Sequence, residues 1–394
     1  MKKQTQAIHL EYERRDAYDS LSVPVYNTLA YEFDNAAIMA EAFTDKIKAP
    51  DYSRVENPTV TNLERRVAAL TDAAHATAFN SGMAAISNTL MALAAQGKNI
   101  VTSKHLFVNT YALLVATLRR FGVKVRLRDL TNIEAMREAI DDDTCCVFLE
   151  ILTNPQLEVA DLKAISEVAH EKNVPLVVDS TVIPFTQFSA KSLGVDIEVV
   201  SSSKYVSGGA TSLGGLVIDY GTPYNGDFAK RLYGEMLFNF GAYMTPQVAY
   251  MQTIGLETLD ARYRVQSGNA LELAKKLRSL PQIKYVNYVG LEDNPYHELA
   301  QRQFGKTAGA MICIDLESKE ACFSFLNNLK LIHRATNLFD NRSLAIHPAS
   351  TIFGAFSESM RKSMDVKDTT IRLSVGLEDV DDLFEDIKQA VDSL

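Results

Sequence analysis

Apolar and polar positions along this chain recur with two periods, and the two alternate. Short apolar runs occur at Asn99–Thr102, Lys124–Arg128, Cys145–Leu149, Leu176–Val178, Ile197–Val200 and Leu216–Ile218. Each is too short for a helix and reads as a strand buried on both faces. Helical spacing lies between and before them: Leu63, Val67 and Leu70 within 62–70, the run that starts after Gly82 and reaches Leu93, then 110–121, 133–140 and 162–172. Strands alternating with helices predict a mostly parallel sheet covered on both faces. At Thr245-Pro246 the pattern changes. One long helix is expected over 246–280, then strands over 283–288 and 310–316, a helix over 319–329, a strand over 370–374 and a helix over 380–394. The fold class expected is therefore α/β, with an N-terminal arm (1–50), a large domain on a mostly parallel sheet (51–245) and a smaller C-terminal α+β domain (246–394). The arm mixes polar residues with Tyr12, Tyr18, Tyr26 and Tyr31, as a segment packing on something else would, such as a neighbouring subunit.

Two strands end in residues that can do chemistry. Val199-Val200 runs into Ser201-Ser202-Ser203-Lys204-Tyr205 and then glycines, and the run Val174–Val178 ends in Asp179. A lysine and a carboxylate at the ends of buried strands suit pyridoxal phosphate, whose aldehyde needs an amine and whose ring nitrogen needs an anion. The plainer alternative is a solvated lysine. Asn80-Ser81-Gly82-Met83-Ala84 opens a helix: Ser81 can cap, and the free N–H groups at Gly82 and Met83 suit a phosphate. Read alone it is an ordinary capped helix. Ser201 and Ser203 alternate along an extended piece, so both hydroxyls are expected on one face, unless they merely end a strand. Asp51–Thr59 is polar and irregular, a solvated loop by itself, but Arg54 carries the planar fork that grips phosphate.

Charge and composition narrow the partners. The 394 residues carry a formal charge of -9 with a pI near 5.4, so nucleic acid is not expected. The four cysteines, two of them adjacent (Cys145 and Cys146), form neither a disulfide framework nor a metal knuckle. A reducing compartment, the cytoplasm, is expected. No apolar segment follows Met1–Gln6 as in a secretion signal, and no apolar stretch approaches a membrane span. No histidine, cysteine or carboxylate spacing points to a metal. His347 reads as a packed turn residue, and Glu150, after a strand, as a residue that lines the site without acting in it.

The motifs taken together resemble the pyridoxal-phosphate enzymes of cysteine and methionine metabolism. The matching pieces, in family order, are Tyr52-Ser53-Arg54 with Asn57-Pro58-Thr59, Ser81–Ile86, Asn154-Pro155, Val178–Thr181, Ser201–Tyr205, His347–Thr351 and Arg372–Asp379. The resemblance implies a fold type I pyridoxal-phosphate transferase. Lys204 would form the Schiff base and move protons, and Asp179 would pair with the ring nitrogen. Gly82, Met83, Ser201 and Ser203, with Ser81 and Thr181 beside them, would hold the cofactor, and Asn154 would lie near its ring oxygen. Arg372 would clamp the substrate carboxylate, with Asn337 also on the substrate side. Tyr52 and Arg54 would complete the neighbouring subunit's site, in a dimer and usually a dimer of dimers.

Several positions depart from the family pattern. Phe107 replaces the stacked tyrosine and has no hydroxyl to protonate a leaving group. Asn109 stands where methionine γ-lyases carry cysteine. Ser203 replaces threonine, Phe339 a glycine, and Thr351-Ile352-Phe353 lacks a histidine. Asn337 resembles the sulfhydrylases, where lyases have serine. The expected reaction is γ-replacement: O-acetyl-L-homoserine and sulfide giving L-homocysteine and acetate. A methionine or cystathionine γ-lyase and a cystathionine γ-synthase are the alternatives. From a different class come a serine hydrolase built on Ser201-x-x-Lys204, Ser267-Gly268-Asn269 and Lys306-Thr307-Ala308, and a non-catalytic binding subunit.

Overall fold

The computed structural model describes residues 1–10, 16–44, 46–306 and 308–394, so Tyr12 of the arm and Thr307 lie outside the described residues. Seven strands form the larger sheet: β1 (His75–Phe79), β2 (Asn99–Ser103), β3 (Lys124–Arg128), β4 (Thr144–Glu150), β5 (Leu176–Asp179), β6 (Ile197–Val200) and β7 (Gly215–Asp219). Their order is β1-β7-β6-β5-β4-β2-β3. Every neighbouring pair is parallel except the two made by β7, which runs antiparallel to β1 and to β6. The central strands are mostly apolar, as strands covered by helices on both faces are: Leu176, Val177 and Val178 are fully buried, and the one carboxylate inside β6, Glu198, is bound by the Ser180 and Tyr220 hydroxyls. β4 and β5 pair so that Glu150 stands beside Asp179 at their C-terminal ends. A second, antiparallel sheet contains β8 (Tyr285–Asn287), β9 (Met311–Asp315), β10 (Leu344–Ile346) and β11 (Thr370–Ser374), in the order β10-β11-β9-β8. Arg372 sits in β11, between Ile346 and Cys313.

The expected long helix is two helices, Pro246–Glu257 and Leu259–Leu277, broken at Thr258 (φ -104°, ψ 1°). The break comes from tertiary contact. A Cβ on Gly255 would lie 2.0 Å from the Val206 carbonyl oxygen, so this helix end presses backbone to backbone on the turn after Lys204. The Arg262 guanidinium then donates to the Gly255 carbonyl (2.6 Å) and the Tyr205 carbonyl (2.8 Å), satisfying acceptors that a continuous helix would not leave there. The helix expected over 110–121 begins at Val108, changes to a π turn at Leu113–Thr117 and a 3-10 turn at Leu118–Phe121, and ends at Gly122 with φ +80°. The start of the arm packs on its own chain: helix Lys3–His9 is pinned by Lys3 Nζ to the Phe188 carbonyl (2.9 Å) and by the Arg66 guanidinium to the Ala7 carbonyl (2.6 Å).

Candidate active site

The C-terminal ends of β4, β5 and β6 open into a cleft of about 280 Å³ lined by Gly82, Met83, Phe107, Glu150, Asn154, Asp179, Thr181, Ser201, Lys204, Asn337 and Arg372, with Ile86, Leu152, Val182, Leu338 and Ile352 as its apolar wall. Ligands of open α/β sheets bind at this end of the strands. Residues from eight separate stretches of sequence meet here.

Lys204 Nζ donates to Asn337 Oδ1 at 2.6 Å. Burial first, and the Arg372 cation second, bring its pKa from 10.5 down to about 8. Such a lysine is a far better nucleophile near neutral pH than a solvated one. Arg372 is buried, with one amino group on Asn154 Oδ1 and the other on the Asn337 carbonyl, both at 3.1 Å, while its Nε has no partner among the described residues. Burial lowers its pKa to about 10, against the pull of the nearby Cys313 thiol. A cationic fork held from both sides and still short of a partner can accept an anion.

On the cleft floor Asp179 accepts from the Thr181 N–H at 2.9 Å, and the Thr181 hydroxyl in turn accepts from the Ser201 N–H at 2.8 Å. Glu150, its neighbour across the strand pair, is a residue whose part the sequence understates. Its carboxyl accepts the N–H of Phe107 and also the backbone N–H of Asn154. Burial and the adjacent Asp179 push it well above the usual carboxylate range, whereas Asp179, raised by burial, is held back by its Thr181 bonds. Of the two, Glu150 is the one held more strongly as the neutral acid.

Helix Gly82–Leu93 starts at the cleft, with Ser81 capping the Ala84 N–H at 3.1 Å. A Cβ on Gly82 would lie 2.6 Å from the Ser201 Cβ, so only glycine lets the helix start reach Ser201. That leaves the amides of Gly82 and Met83 free toward the cleft.

Not every predicted residue is at the cleft. Ser201 lines it, but Ser203 does not share its face. The chain turns at Ser201, whose carbonyl accepts the Lys204 N–H at 3.1 Å, and Ser203 Oγ instead donates to the Gly214 carbonyl (3.1 Å) and accepts the Gly214 N–H (2.9 Å). The extended geometry expected through 201–203 is lost to that turn. Tyr52 is exposed, and Arg54 donates to the Phe238 carbonyl at 2.5 Å; neither lines the cleft of its own chain. Of the serine-hydrolase motifs, Ser201 and Lys204 line the cleft but Ser267, Asn269 and Lys306 do not; Asn269 stands on a helix and donates to the Glu378 carbonyl at 2.8 Å.

Phe339 departs most from the local rules. It is fully buried at φ +58°, a left-handed backbone that bulky residues avoid. Its ring stacks on Tyr205 (centroids 4.0 Å, 9° between planes), and its N–H donates to Ser374 Oγ at 2.7 Å. These contacts anchor the loop that carries Asn337 and Leu338 against Lys204 and Arg372.

The chain matches the sequence profile of the Cys/Met metabolism PLP-dependent enzymes over residues 4–392. It belongs to that family. It is 37% identical to an L-methionine γ-lyase of Fusobacterium nucleatum subsp. polymorphum, over 99% of this chain and 98% of that one. A crystal structure of a Campylobacter jejuni protein assigned as an O-acetylhomoserine (thiol)-lyase, containing N'-pyridoxyl-lysine-5'-monophosphate, superposes with a TM-score of 0.95 at 34% identity over the full length of both chains. An O-acetylhomoserine sulfhydrylase of Wolinella succinogenes is 43% identical, with a TM-score of 0.77, over 85% of this chain and 96% of that one. This family member is a pyridoxal-phosphate enzyme of sulfur amino-acid metabolism with the type I fold. Its residues fit the cofactor: a buried amine of lowered pKa, a carboxylate across the cleft floor, and a helix start whose glycine leaves no room for a Cβ.

Proposed function

We propose that the cleft carries out γ-replacement on an activated homoserine, O-acetyl-L-homoserine and sulfide giving L-homocysteine and acetate. One observation carries this reading: the wall beside Lys204 offers Phe107, Leu338, Ile352 and Val182, and no hydroxyl at Phe107. Acetate leaves as a stable anion and needs little acid help, whereas a thiolate leaving group benefits from a proton donor. Bound pyridoxal phosphate supplies the electron sink. Lys204 would hold the cofactor through its amine and would move the substrate's α-proton, with Asn337 orienting that amine. Asp179 holds the ring nitrogen protonated, with Thr181 bracing it. The amides of Gly82 and Met83, with Ser201, hold the phosphate, and the Ser81 cap fixes those amides. Phe107 and Asn154 would hold the cofactor from the cleft wall, and Arg372 would grip the substrate α-carboxylate through its fork. Tyr52 and Arg54 reach the neighbouring subunit's site, so the working unit is at least a dimer, in a cytoplasmic dimer of dimers. Residues 51–245 and 246–394 act as its two domains, with the site between them.

A second reading, methionine γ-lyase, is favoured by the 37% identity to the Fusobacterium enzyme. A product assay separates the two. Homocysteine formed only when O-acetylhomoserine and sulfide are both present supports replacement. Ammonia and 2-oxobutyrate from methionine alone make the protein a lyase.

A further inference from the structure

Two residues before Phe107 lies a cluster that the reaction does not use. His105 is buried, and both of its ring nitrogens face carboxylates: Nδ1 is 2.6 Å from Glu158 Oε2 and Nε2 is 2.8 Å from Asp365 Oδ2. A neutral imidazole has one N–H and can donate to only one of two carboxylates; the imidazolium donates to both. The charged and titratable groups around it are Lys104, which donates to Asp365 Oδ2 at 2.7 Å, Tyr296, whose hydroxyl donates to Glu158 Oε1 at 3.2 Å, and Asp129. Burial pulls the imidazolium pKa down, but the Glu158 bond and charge and the Asp365 bond outweigh it, and the net direction is up from 6.5.

The partners come from different parts of the fold. Glu158 belongs to the hairpin after β4 that carries Asn154, joined by the Leu152–Val159 bridge. Asp365 follows helix Glu358–Ser363, and beside it Met364 and Val366 form an apolar cluster with Phe353, onto which Val108 and Tyr111 pack. Gln156 Nε2 donates to the Met364 carbonyl at 2.7 Å in the same junction. The His105 ring therefore joins the segment carrying Phe107, the hairpin carrying Asn154 and the segment leading into β11, which carries Arg372.

We propose that His105 is a positioning residue: as an imidazolium between Glu158 and Asp365 it ties these three segments together and sets Phe107, Asn154 and Arg372 relative to one another. The consequence for the bound cofactor rests on the function proposed above. The sign follows from linkage: a histidine whose folded pKa is raised stabilises fully below its unfolded value, and that contribution is lost as pH rises through the folded pKa.

The test compares wild type, His105→Gln and Asp365→Asn across pH 5.5 to 9. In thermal unfolding, the gap between wild type and His105→Gln should be widest at low pH and shrink with a midpoint above 6.5, and Asp365→Asn should move that midpoint down. In the loaded enzyme, the visible circular dichroism of the cofactor should fall through the same midpoint in wild type and show no such step in His105→Gln. A gap that does not vary with pH, or a dichroism step that survives in His105→Gln, would overturn the proposal. If His105→Gln fails to fold, Asp365→Asn decides through the dichroism step, since Asp365 is half-exposed and a step that keeps its wild-type midpoint in Asp365→Asn sinks the clamp. Wild-type protein that takes up no pyridoxal phosphate removes the functional reading beneath the proposal, and the unfolding arm then shows separately whether the clamp exists.

Discussion

The lowered pKa of Lys204 makes a quantitative statement about cofactor loading. At pH 7 a lysine of pKa about 8 is neutral in about one molecule in ten, and one of pKa 10.5 in about one in three thousand. The site therefore raises the reactive amine about 300-fold, equivalent to about 3 kcal/mol against the charged form. Burial is the larger cause and Arg372 the smaller. Arg372→Gln removes the smaller cause, so Schiff-base formation at pH 7 should slow several-fold, always within that 300-fold limit. Arg372→Lys keeps the positive charge and should load nearly as fast as wild type, while losing the bidentate grip on substrate. The assay mixes apoenzyme with pyridoxal phosphate in a stopped-flow spectrometer and follows the Schiff-base absorbance from pH 6 to 10. The wild-type rate should climb about tenfold per pH unit and level off near pH 8. A rate still climbing tenfold per unit between pH 9 and 10 would show that Lys204 titrates as an ordinary lysine, and the reasoning from burial would fail. Linkage adds a second reading of the same group. Between about 8 and 10.5 the unfolded chain binds more protons at this lysine than the folded one, so apoenzyme stability should rise with pH through that window.

Asp179→Ala should keep the Schiff-base absorbance but lose on the order of 10²-fold in turnover, the cost of removing one preorganised charge; full turnover would take Asp179 out of its role. Glu150→Gln copies the shape of the neutral acid and should stay within a few-fold of wild-type activity, whereas Glu150→Ala orphans the Phe107 N–H and should cost about 1–3 kcal/mol in urea unfolding. An inactive Glu150→Gln enzyme would mean that the carboxylate form is needed. At Phe339 the left-handed backbone predicts an inversion of the usual order: Phe339→Gly should be more stable than Phe339→Ala by about 1–2 kcal/mol, although it removes more side chain. Urea midpoints in the opposite order would refute that account of the loop.

How much of this was legible in the sequence depends on the range of the interaction. The strand over 370–374 falls where the pattern puts it, and β3 and β6 likewise; β6 is buried on both faces as its neighbours' hydrophobicity implies, whereas β3, at the sheet edge, is exposed at Lys124 and Arg128 and only half-buried between them, because strand order is not written in a strand's own residues. Lys204 and Asp179 follow from the same pattern: parallel strands end on one edge, so polar residues closing two apolar runs stand in one cleft. Elements too short or too mixed to show a period are not predicted, among them β10 and helix His297–Phe304. The division of 246–280 at Thr258 answers to Val206 and Tyr205, some fifty residues away in sequence, and no local pattern encodes that contact.

Hydrogen-bond partners lie furthest from what a sequence records. Alternation put Ser203 on the face of Ser201, yet the turn delivered its hydroxyl to Gly214. Glu150 gains its hold on Phe107, and His105 its place between Glu158 and Asp365, only when segments up to 260 residues apart are brought together. The sequence by itself determined the layers of this protein, the strand ends that carry its amine and its carboxylate, and the family to which they belong, since burial and periodicity are properties of neighbours along the chain. The tertiary structure alone decided which polar groups are paired, which carboxyl is held neutral and what holds Phe339 in a left-handed backbone, since desolvation and hydrogen-bond geometry depend on atoms that meet only in the folded state.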